Sequence, residues 1–217
     1  MTRLVDLSHP IEQGMTTYPG LPGPVIETHL ERAESRHHYD AGTEFHIGRI
    51  EMVANTGTYL DVPFHRYRDG YDIADLPVER CANLPGVCVA STDRAIGPDL
   101  FDGIEIAGRA VLIHTGWDQH WRTDRYGDPA HPHLTADAAK VLTRRDVALV
   151  GIDSVNIDAT QGGTRPAHST LLAAGIPIVE HLTNLEGLVG AVFRFFAVPA
   201  PVRGMGTFPI RALALLD

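Results

Sequence analysis

Four short apolar segments constrain the fold of this 217-residue chain more than any other feature. They are LPGVCVAS, GRAVLIHTG, VALVGIDS and PIVEHL. Near-continuous apolar runs of this length, rich in β-branched residues, are typical of strands that are buried on both faces of a sheet. Further strands are predicted at 3–8, 25–33 and 44–54, and in FRFFAVPAP and IRALALLD. The chain is therefore predicted to be dominated by strands.

Helix signals occur between these strands. In PHLTADAAKVLTRRD, Thr135 is suited to cap a helix and Asp137 places an acid in its first turn. HSTLLAAGI is predicted to be a short helix that ends at Gly175. Because no repeat and no linker-like run divides the sequence, we predict a single α/β domain over residues 1–217.

The composition narrows the class of protein. The chain is 44% hydrophobic and 21% charged, an ordinary globular balance, and its net charge of −9 argues against nucleic acid and membranes as partners. No apolar run has the length of a transmembrane helix or of a signal peptide core. Cys81 and Cys88 are too few for a secreted disulfide framework, so we predict a cytoplasmic protein with buried thiols.

Two pairs of acids and histidines are candidates for a functional site. Asp61 and His65 lie in DVPFH, whereas His168 and Glu180 lie in HSTLLAAGIPIVE. Carboxylate and imidazole together are a donor set suited to Zn²⁺ or Mn²⁺. Spacing alone is equally compatible with a turn-capping histidine, a histidine at a helix start and a carboxylate at a strand end.

The segment NTGTYLDVPFH resembles the signature of the putative cyclase family, which includes bacterial kynurenine formamidases and isatin hydrolases. Gly57, Thr58, Asp61, Pro63 and His65 match its pattern H-x-G-T-H-x-D-x-P-x-H. The resemblance extends over nearly the whole chain, from DLSHPIEQGMTTYPG through VLIHTGWDQHW and GIDSVNID to FPIRALAL. It implies the swivelling β/β/α fold of that family and a homo-oligomer, either a dimer or a tetramer.

The resemblance also implies roles for individual residues. In the formamidases two zinc ions lie side by side. Asp61 would bridge them, Glu180 would contact both, and His168 would bind the second. His65 would be the acid/base residue near the attacking water, and Tyr18 would lie against the substrate.

This chain departs from the family pattern at two metal ligands. Asn55 and Tyr59 stand where the signature has its first two histidines. An amide and a neutral phenol are poor ligands for zinc, so the first metal site is expected to be lost. The expected cofactor is one divalent metal, Zn or Mn, on Asp61, His168 and Glu180.

Three functions are compatible with these residues. The first is a metal-dependent hydrolase of an amide or lactone, acting on a small molecule, with His65 transferring the proton. Asn55 would then donate a hydrogen bond to the oxyanion, and Tyr59 would be either a further donor or a substrate contact. Tyr18 with Trp117 or Phe64 would stack on an aromatic ring.

The second function is a metal-free cyclase or dehydratase that acts on a polyketide-like intermediate, with Asp61, His65 and Tyr59 as acid/base groups. The third is a family member that binds a ligand without catalysis. Three further expectations concern local structure. Gly57 is expected to adopt positive φ, and Asp153 to accept hydrogen bonds from loop amides. His181 is expected to point away from the face that carries Glu180.

Overall fold

The computed structural model describes residues 2–216, which contain thirteen strands and three α-helices. The strands are β1 Arg3–Asp6, β2 Val25–Leu30, β3 Ile47–Glu51, β4 Tyr59–Asp61, β5 Leu84–Ala90, β6 Ala95–Ile96, β7 Ala110–His114, β8 His133–Leu134, β9 Leu149–Ile152, β10 Ile178–Glu180, β11 Phe193–Phe196, β12 Thr207–Pro209 and β13 Leu213–Leu216. The helices are α1 Arg32–Ser35, α2 Ala136–Arg144 and α3 Pro166–Ala173.

Nine strands form one mixed sheet in the order β1-β13-β11-β5-β7-β9-β10-β4-β12. Its four central strands, β5, β7, β9 and β10, pair in parallel, and antiparallel strands flank them on both sides. This arrangement confirms the predicted α/β class. Strands β1 and β13 pair with one another, so the first and last strands lie side by side in this sheet. That residues 1–217 form one domain stays a prediction.

The central strands are buried on both faces, which explains their continuous apolar sequences. In β7, Leu112 points into a core cluster that also contains Leu60 and Phe195. Val111 and Ile113 point to the opposite face, where residues of α2 and α3 cover them. Full burial of such a side chain contributes about 1.5–3 kcal/mol, so the two-sided core is the main source of stability in the sheet.

The predicted signals at the helix ends are confirmed. The Thr135 hydroxyl accepts a 3.2 Å hydrogen bond from the amide of Ala138 and caps α2. Helix α3 begins with Pro166, which suits a first turn because its missing amide has no partner there in any case. The chain leaves α3 at Gly175, whose φ is +71°, a conformation that glycine adopts without strain.

Strands β2 and β3 form a separate two-stranded ribbon that is exposed on both faces. Ile26 and Ile50 face each other across this ribbon and are 44% and 48% exposed. The alternation in 44–54 therefore predicts the strand correctly, but neither of its faces is buried within one chain. An isolated two-stranded ribbon is marginally stable in water and needs further packing.

Two expectations from composition can be compared with the structure. Cys81 and Cys88 are free, buried thiols, and burial raises their pKa values to about 11 and about 12, so neither is an activated nucleophile. Over residues 2–216, no helix combines the length and apolar character that a membrane span requires.

Candidate active site

Strand β4 and its two partner strands bring four polar side chains together. Asp61 lies opposite Thr207 of β12, and Tyr59 lies opposite Glu180 of β10. Since residues two apart on a strand share a face, Tyr59 and Asp61 project to the same side while Leu60 enters the core. The fold therefore brings together residues that are more than a hundred positions apart.

Thr207 links the two ends of the DVPFH segment. Its hydroxyl donates a hydrogen bond to Oδ1 of Asp61 and lies 2.8 Å from Nδ1 of His65. A 3-10 turn at Pro63–His65 carries the imidazole back toward the strand, where its Nδ1 is 3.9 Å from Asp61 Oδ1. Sequence analysis did not find Thr207, because TFP is too short and too near proline to show strand alternation.

His168 is oriented by a second carboxylate that sequence analysis also missed. Asp158 accepts hydrogen bonds from the amides of Ala167 and His168 at 2.7 and 2.9 Å and so caps the first turn of α3. Its Oδ2 is also 2.7 Å from His168 Nδ1. This contact leaves Nε2 facing Asp61 and Glu180, the arrangement that a carboxylate gives to a metal-binding histidine.

The imidazole of His168 faces two carboxylate oxygens. Nε2 of His168 lies 3.6 Å from Asp61 Oδ2 and 3.6 Å from Glu180 Oε1. Donors bound to one tetrahedral metal at 2.0–2.2 Å lie about 3.4 Å apart. Asp61 Oδ2 is buried and has no hydrogen-bond partner among residues 2–216, so a metal at this position would satisfy it.

His65 and Glu180 are alternative further ligands. The ligand atoms of Asp61, His65 and His168 all lie within 4.8 Å of one another, a grouping that does not include Glu180. The resemblance assigns the ligand role to Glu180, whose Oε1 lies 3.6 Å from His168 Nε2, whereas His65 Nδ1 already contacts Thr207. The amide of Ile157 donates to the same Oε1 at 2.6 Å, which leaves that oxygen a second lone pair for a metal.

The charges of the site are strongly coupled. Burial alone would lower the pKa of His168, but the hydrogen bond to Asp158, the contact with Asp61 and the charge of Glu180 raise it to about 10. Burial would also raise the pKa of Asp61, but the charge of His65 and the contact with His168 outweigh it and lower this pKa. Asp61 and His168 therefore favour each other's charged forms.

The predicted aromatic residues Tyr18 and Phe64 are not among those that line the cavity beside the site. Tyr18 packs with Trp117, Tyr126 and Val155 in a separate cluster, and Phe64 is 37% exposed. The cavity beside the site has a volume of about 130 Å³ and is lined by His65, Arg66, Asn156, Arg165 and His168. Substrate contacts of Tyr18 and Phe64 therefore stay predictions.

His181 differs from its predicted orientation. Strand β10 ends at Glu180, and His181 has φ of +59°, so strand alternation no longer applies to it. Its ring packs 4.9 Å from that of Tyr59, and its Nδ1 is 2.8 Å from the Tyr126 hydroxyl. Asp153 agrees with its prediction, because it accepts hydrogen bonds from the amides of Thr115 and Gly116.

Comparison with models of protein families shows which family this chain belongs to. A family model described as "Putative cyclase" matches residues 5–159. The chain belongs to the cyclase family. The kynurenine formamidase of Geobacillus thermodenitrificans is 28% identical over 213 residues, covering 98% of this chain and 97% of the relative. That of Bacillus mycoides is 26% identical over 210 residues, covering 96% of this chain and 95% of the relative.

Solved structures confirm the fold of this cyclase-family protein. Isatin hydrolase A from Labrenzia aggregata, bound to benzyl benzoate, superposes with a TM-score of 0.84 at 24% identity, covering 99% of this chain and 94% of that structure. A structure described as a predicted metal-dependent hydrolase from Bacillus stearothermophilus gives 0.76 at 25% identity, covering 99% and 98%. The predicted family fold is therefore correct.

Tyr59 occupies part of the space in which the family pattern has a metal ligand. Its hydroxyl donates a 2.7 Å hydrogen bond to Oε2 of Glu180. Burial, followed by the charges of Glu180 and Asp61, raises the pKa of Tyr59 well above its usual range, so the phenol stays a neutral donor. Asn55 is half-buried. Burial also raises the pKa of Glu180, to about 7.

Proposed function

We propose that this cyclase-family protein hydrolyses an amide bond with one divalent metal, Zn or Mn, held by Asp61, His168 and Glu180. The observation that carries the proposal is Asp61 Oδ2, which is buried 3.6 Å from His168 Nε2 and has no hydrogen-bond partner within the described residues. The kynurenine formamidase relatives support the enzyme class, a metal-dependent amide hydrolase. Mixed carboxylate and imidazole donors suit either of the two metals.

The chemistry supplied here by a bound divalent metal is activation of water and polarisation of the scissile carbonyl. The protein's own residues hold the donors in place. Asp158 fixes the His168 ring, and Tyr59 fixes one oxygen of Glu180. Both contacts are buried, so the donor atoms are positioned before a substrate arrives.

His65 is proposed as the proton carrier, and Thr207 sets its tautomer. The single hydroxyl proton of Thr207 goes to Asp61, so its oxygen accepts from Nδ1–H of a neutral His65. Nε2 of His65 is then unprotonated, and this side chain lines the cavity. As the water oxygen bonds to the carbonyl carbon, Nε2 takes its proton, which then passes to the leaving nitrogen as the C–N bond breaks.

The substrate class is inferred from the relatives. Kynurenine formamidases and isatin hydrolases are named for an aryl formamide and a cyclic aryl amide, so an aryl amide is the proposed substrate. A lactone is a second candidate, because the same attack on a carbonyl opens it. Asn55 is proposed to donate to the oxyanion, and Tyr18 and Phe64 to contact the aromatic ring.

Metal content and turnover test this function together. We expect about one equivalent of zinc or manganese per chain in protein purified without a histidine tag, together with hydrolysis of formanilide. Asp61→Asn should lose both, whereas Asp137→Asn, at an exposed position on α2, should retain both. If metal is absent after reconstitution with either ion, the mechanism proposed above is wrong.

A metal-free cyclase or dehydratase is the second candidate. The hydrogen bond from Tyr59 to Glu180 favours it, because it engages an oxygen that the family pattern assigns to metal. Asp61, His65 and Tyr59 would then carry out acid/base steps on a substrate that closes a ring upon itself. Ring formation from a polyketide-like substrate by protein free of metal would support this alternative over hydrolysis.

We also propose that the protein assembles with further copies of itself, as a dimer or tetramer, through the β2–β3 ribbon. Ile26, Ile50 and Ile47 are exposed there, and the ribbon has too little packing within one chain. The double variant Ile26→Lys/Ile50→Lys should reduce the mass measured by light scattering to that of one chain. Val192→Lys, at a valine that is 79% exposed elsewhere, should not.

A cytoplasmic location is proposed on the two free thiols, which a reducing compartment preserves. Cys81 and Cys88 are both buried. Fractionation of the native cells should find the protein with cytoplasmic markers, and recovery with a membrane or extracellular fraction would contradict this.

A further inference from the structure

The cavity beside the candidate metal position has a positively charged wall. Two of its five lining residues are arginines, Arg66 and Arg165, and they lie with His65 and His168 around a volume of about 130 Å³. The chain as a whole has a net charge of −9. The charge of two arginines at one cavity is therefore opposite in sign to the net charge of the chain, and this local difference needs an explanation.

These two arginines are free of ion pairs in the described part of the chain. Over residues 2–216, neither guanidinium has a carboxylate oxygen within the 4.0 Å limit of an ion pair. The ion pairs of other arginines include Arg36–Glu44, Arg122–Glu12, Arg203–Asp75 and Arg211–Asp6. The arginines of the cavity thus have unused capacity to bind an anion.

Arg165 is held at the cavity by the backbone. It immediately precedes α3, is half-buried, and its Nη1 donates to the carbonyls of Gly162 and Thr164 at 3.1 and 2.8 Å. These two bonds engage one nitrogen of the guanidinium. A guanidinium has five N–H groups in a planar fork, so donors remain for a ligand.

Arg66 and Asn156 complete the wall. Arg66 follows His65 directly, is exposed, and lies over the Tyr67 ring with 5.3 Å from Cζ to the ring centroid. Asn156 is 8% exposed, and its Oδ1 accepts a 2.9 Å hydrogen bond from the amide of Asp158. That bond orients the amide oxygen away, so the NH₂ group of Asn156 is available to a ligand in the cavity.

We propose that Arg66 and Arg165 bind a carboxylate on the substrate, one that takes no part in the reaction, so that the enzyme acts on anionic aryl amides. The proposal rests on the proposed amide hydrolysis and specifies its substrate class. A carboxylate is favoured because its planar pair of oxygens matches the guanidinium fork. The alternative role of the arginines, balancing the buried charges of Asp61 and Glu180, is an outcome of the test.

The test compares two substrates that differ only in charge. The probes are formanilide and formanilide with a ring carboxylate, and the readout is the ratio of their kcat/KM values. The native enzyme should prefer the carboxylated probe, and Arg66→Gln and Arg165→Gln should each lower the ratio about tenfold or more. Arg68→Gln, two positions from Arg66, exposed and outside this cavity, removes the same charge and should leave the ratio unchanged.

Two further arms separate the explanations. Arg165→Lys keeps the charge but loses the planar fork of N–H donors. If the charge dominates binding, this variant should lower the ratio less than Arg165→Gln does. If the fork dominates, the two variants should lower the ratio equally. Arg165→Lys is also the conservative variant in case Arg165→Gln fails to fold, which a thermal melt would detect. Raising the salt concentration to 0.5 M should lower the preference of the native enzyme, because exposed charges are screened.

The outcomes distinguish this inference from the proposed function. If both probes are hydrolysed with equal efficiency, or if the variants slow both equally, carboxylate binding is wrong and amide hydrolysis stands. If neither probe is hydrolysed, equilibrium binding of benzoate decides the role of the arginines. Binding that weakens in Arg66→Gln and Arg165→Gln supports the anion site, and absence of binding to the native protein overturns it.

Discussion

The hydroxyl of Tyr59 donates a 2.7 Å hydrogen bond to Oε2 of Glu180, its register partner across β4 and β10. The phenol is buried and neutral, so one carboxylate oxygen is held by a donor at the position where the family pattern has an imidazole. We therefore expect a single metal in this protein. Replacing both non-ligand residues of the signature, in Asn55→His/Tyr59→His, should raise the metal content from about one toward two equivalents per chain.

Elemental analysis of dialysed protein measures this change. Tyr59→Phe is the matched control, because it frees the Glu180 oxygen without adding an imidazole, and it should stay at about one equivalent. An unchanged content in the double variant, with an unchanged melting temperature, would mean that the space for a second metal has closed.

Asp158 should matter for metal affinity although it is not a ligand. In Asp158→Asn the cap on α3 keeps an acceptor oxygen, but His168 Nδ1 loses its charged partner. Removal of a carboxylate behind a metal-binding histidine lowers metal affinity about 10- to 100-fold. Competition with a chelator measures this affinity. Asp137→Asn is the control, and equal affinities in the two variants would refute the orienting role.

Thr207→Val should reduce kcat more than it changes KM. The substitution preserves shape but leaves Oδ1 of Asp61 without its donor and Nδ1 of His65 without its acceptor. We expect kcat to fall about tenfold, which is less than the loss on removing a general acid/base group itself. The free energy of unfolding should fall by about 1–3 kcal/mol. Thr207→Ser should recover kcat. A defect in KM alone would contradict this role.

Gly57→Ala should destabilise the protein through two separate effects. Gly57 has φ of +67°, and an added Cβ would lie 3.1 Å from Cγ1 of Ile11. Left-handed backbone costs an alanine about 1–2 kcal/mol, and the close contact adds to this. Gly14→Ala is a matched control, since Gly14 has φ of +69° and its Cβ would meet nothing within 4 Å. Chemical denaturation should show the larger loss for Gly57→Ala, and equal losses would exclude the steric effect.

Buried His131 should make the protein less stable in mild acid. Burial, assisted by the charges of His133, Arg94 and Arg165, lowers its pKa from 6.5 to about 4. As pH falls below 6.5, the unfolded chain binds a proton at this residue while the folded chain does not, so stability declines until pH reaches about 4. The loss from this residue between pH 7.5 and 5.0 should be about 2 kcal/mol.

Urea denaturation at the two pH values measures this loss. His131→Gln has no titrating group at the position, so its stability should decline about 2 kcal/mol less than that of the native protein. His37→Gln, in an exposed segment, should follow the native pH dependence. The same decline in all three proteins would show that other groups dominate acid sensitivity.

Several features of the fold follow from local sequence and could be predicted. The Thr135 cap, the helix stop at Gly175 and the positive φ of Gly57 each depend on the chemistry of one residue in its own turn. The buried strands were recognisable because β7 and β9 contact apolar residues on both faces, which removes polar positions from their sequences.

Asp61 and His65 could be named as candidates because both lie in one short segment, but their spacing left a turn-capping role for His65 open, and the family resemblance assigned their roles. The other half of the candidate site was less accessible. The donor types of their side chains made His168 and Glu180 candidates. Only the resemblance of the chain to the cyclase family placed them in one site with Asp61.

Tertiary structure alone decided which groups complete the site. Thr207 reaches Asp61 across 146 positions of sequence because β12 pairs with β4, and no local pattern encodes that register. Asp158 orients His168 because the loop after β9 meets the first turn of α3. Arg66 and Arg165 line one cavity although they are far apart in the sequence. The sequence by itself thus determined the strands, the helix ends and the acid/base segment. Strand pairing and the packing of loops against helix α3 decided the neighbours of the reactive atoms, because only packing brings separate segments into contact.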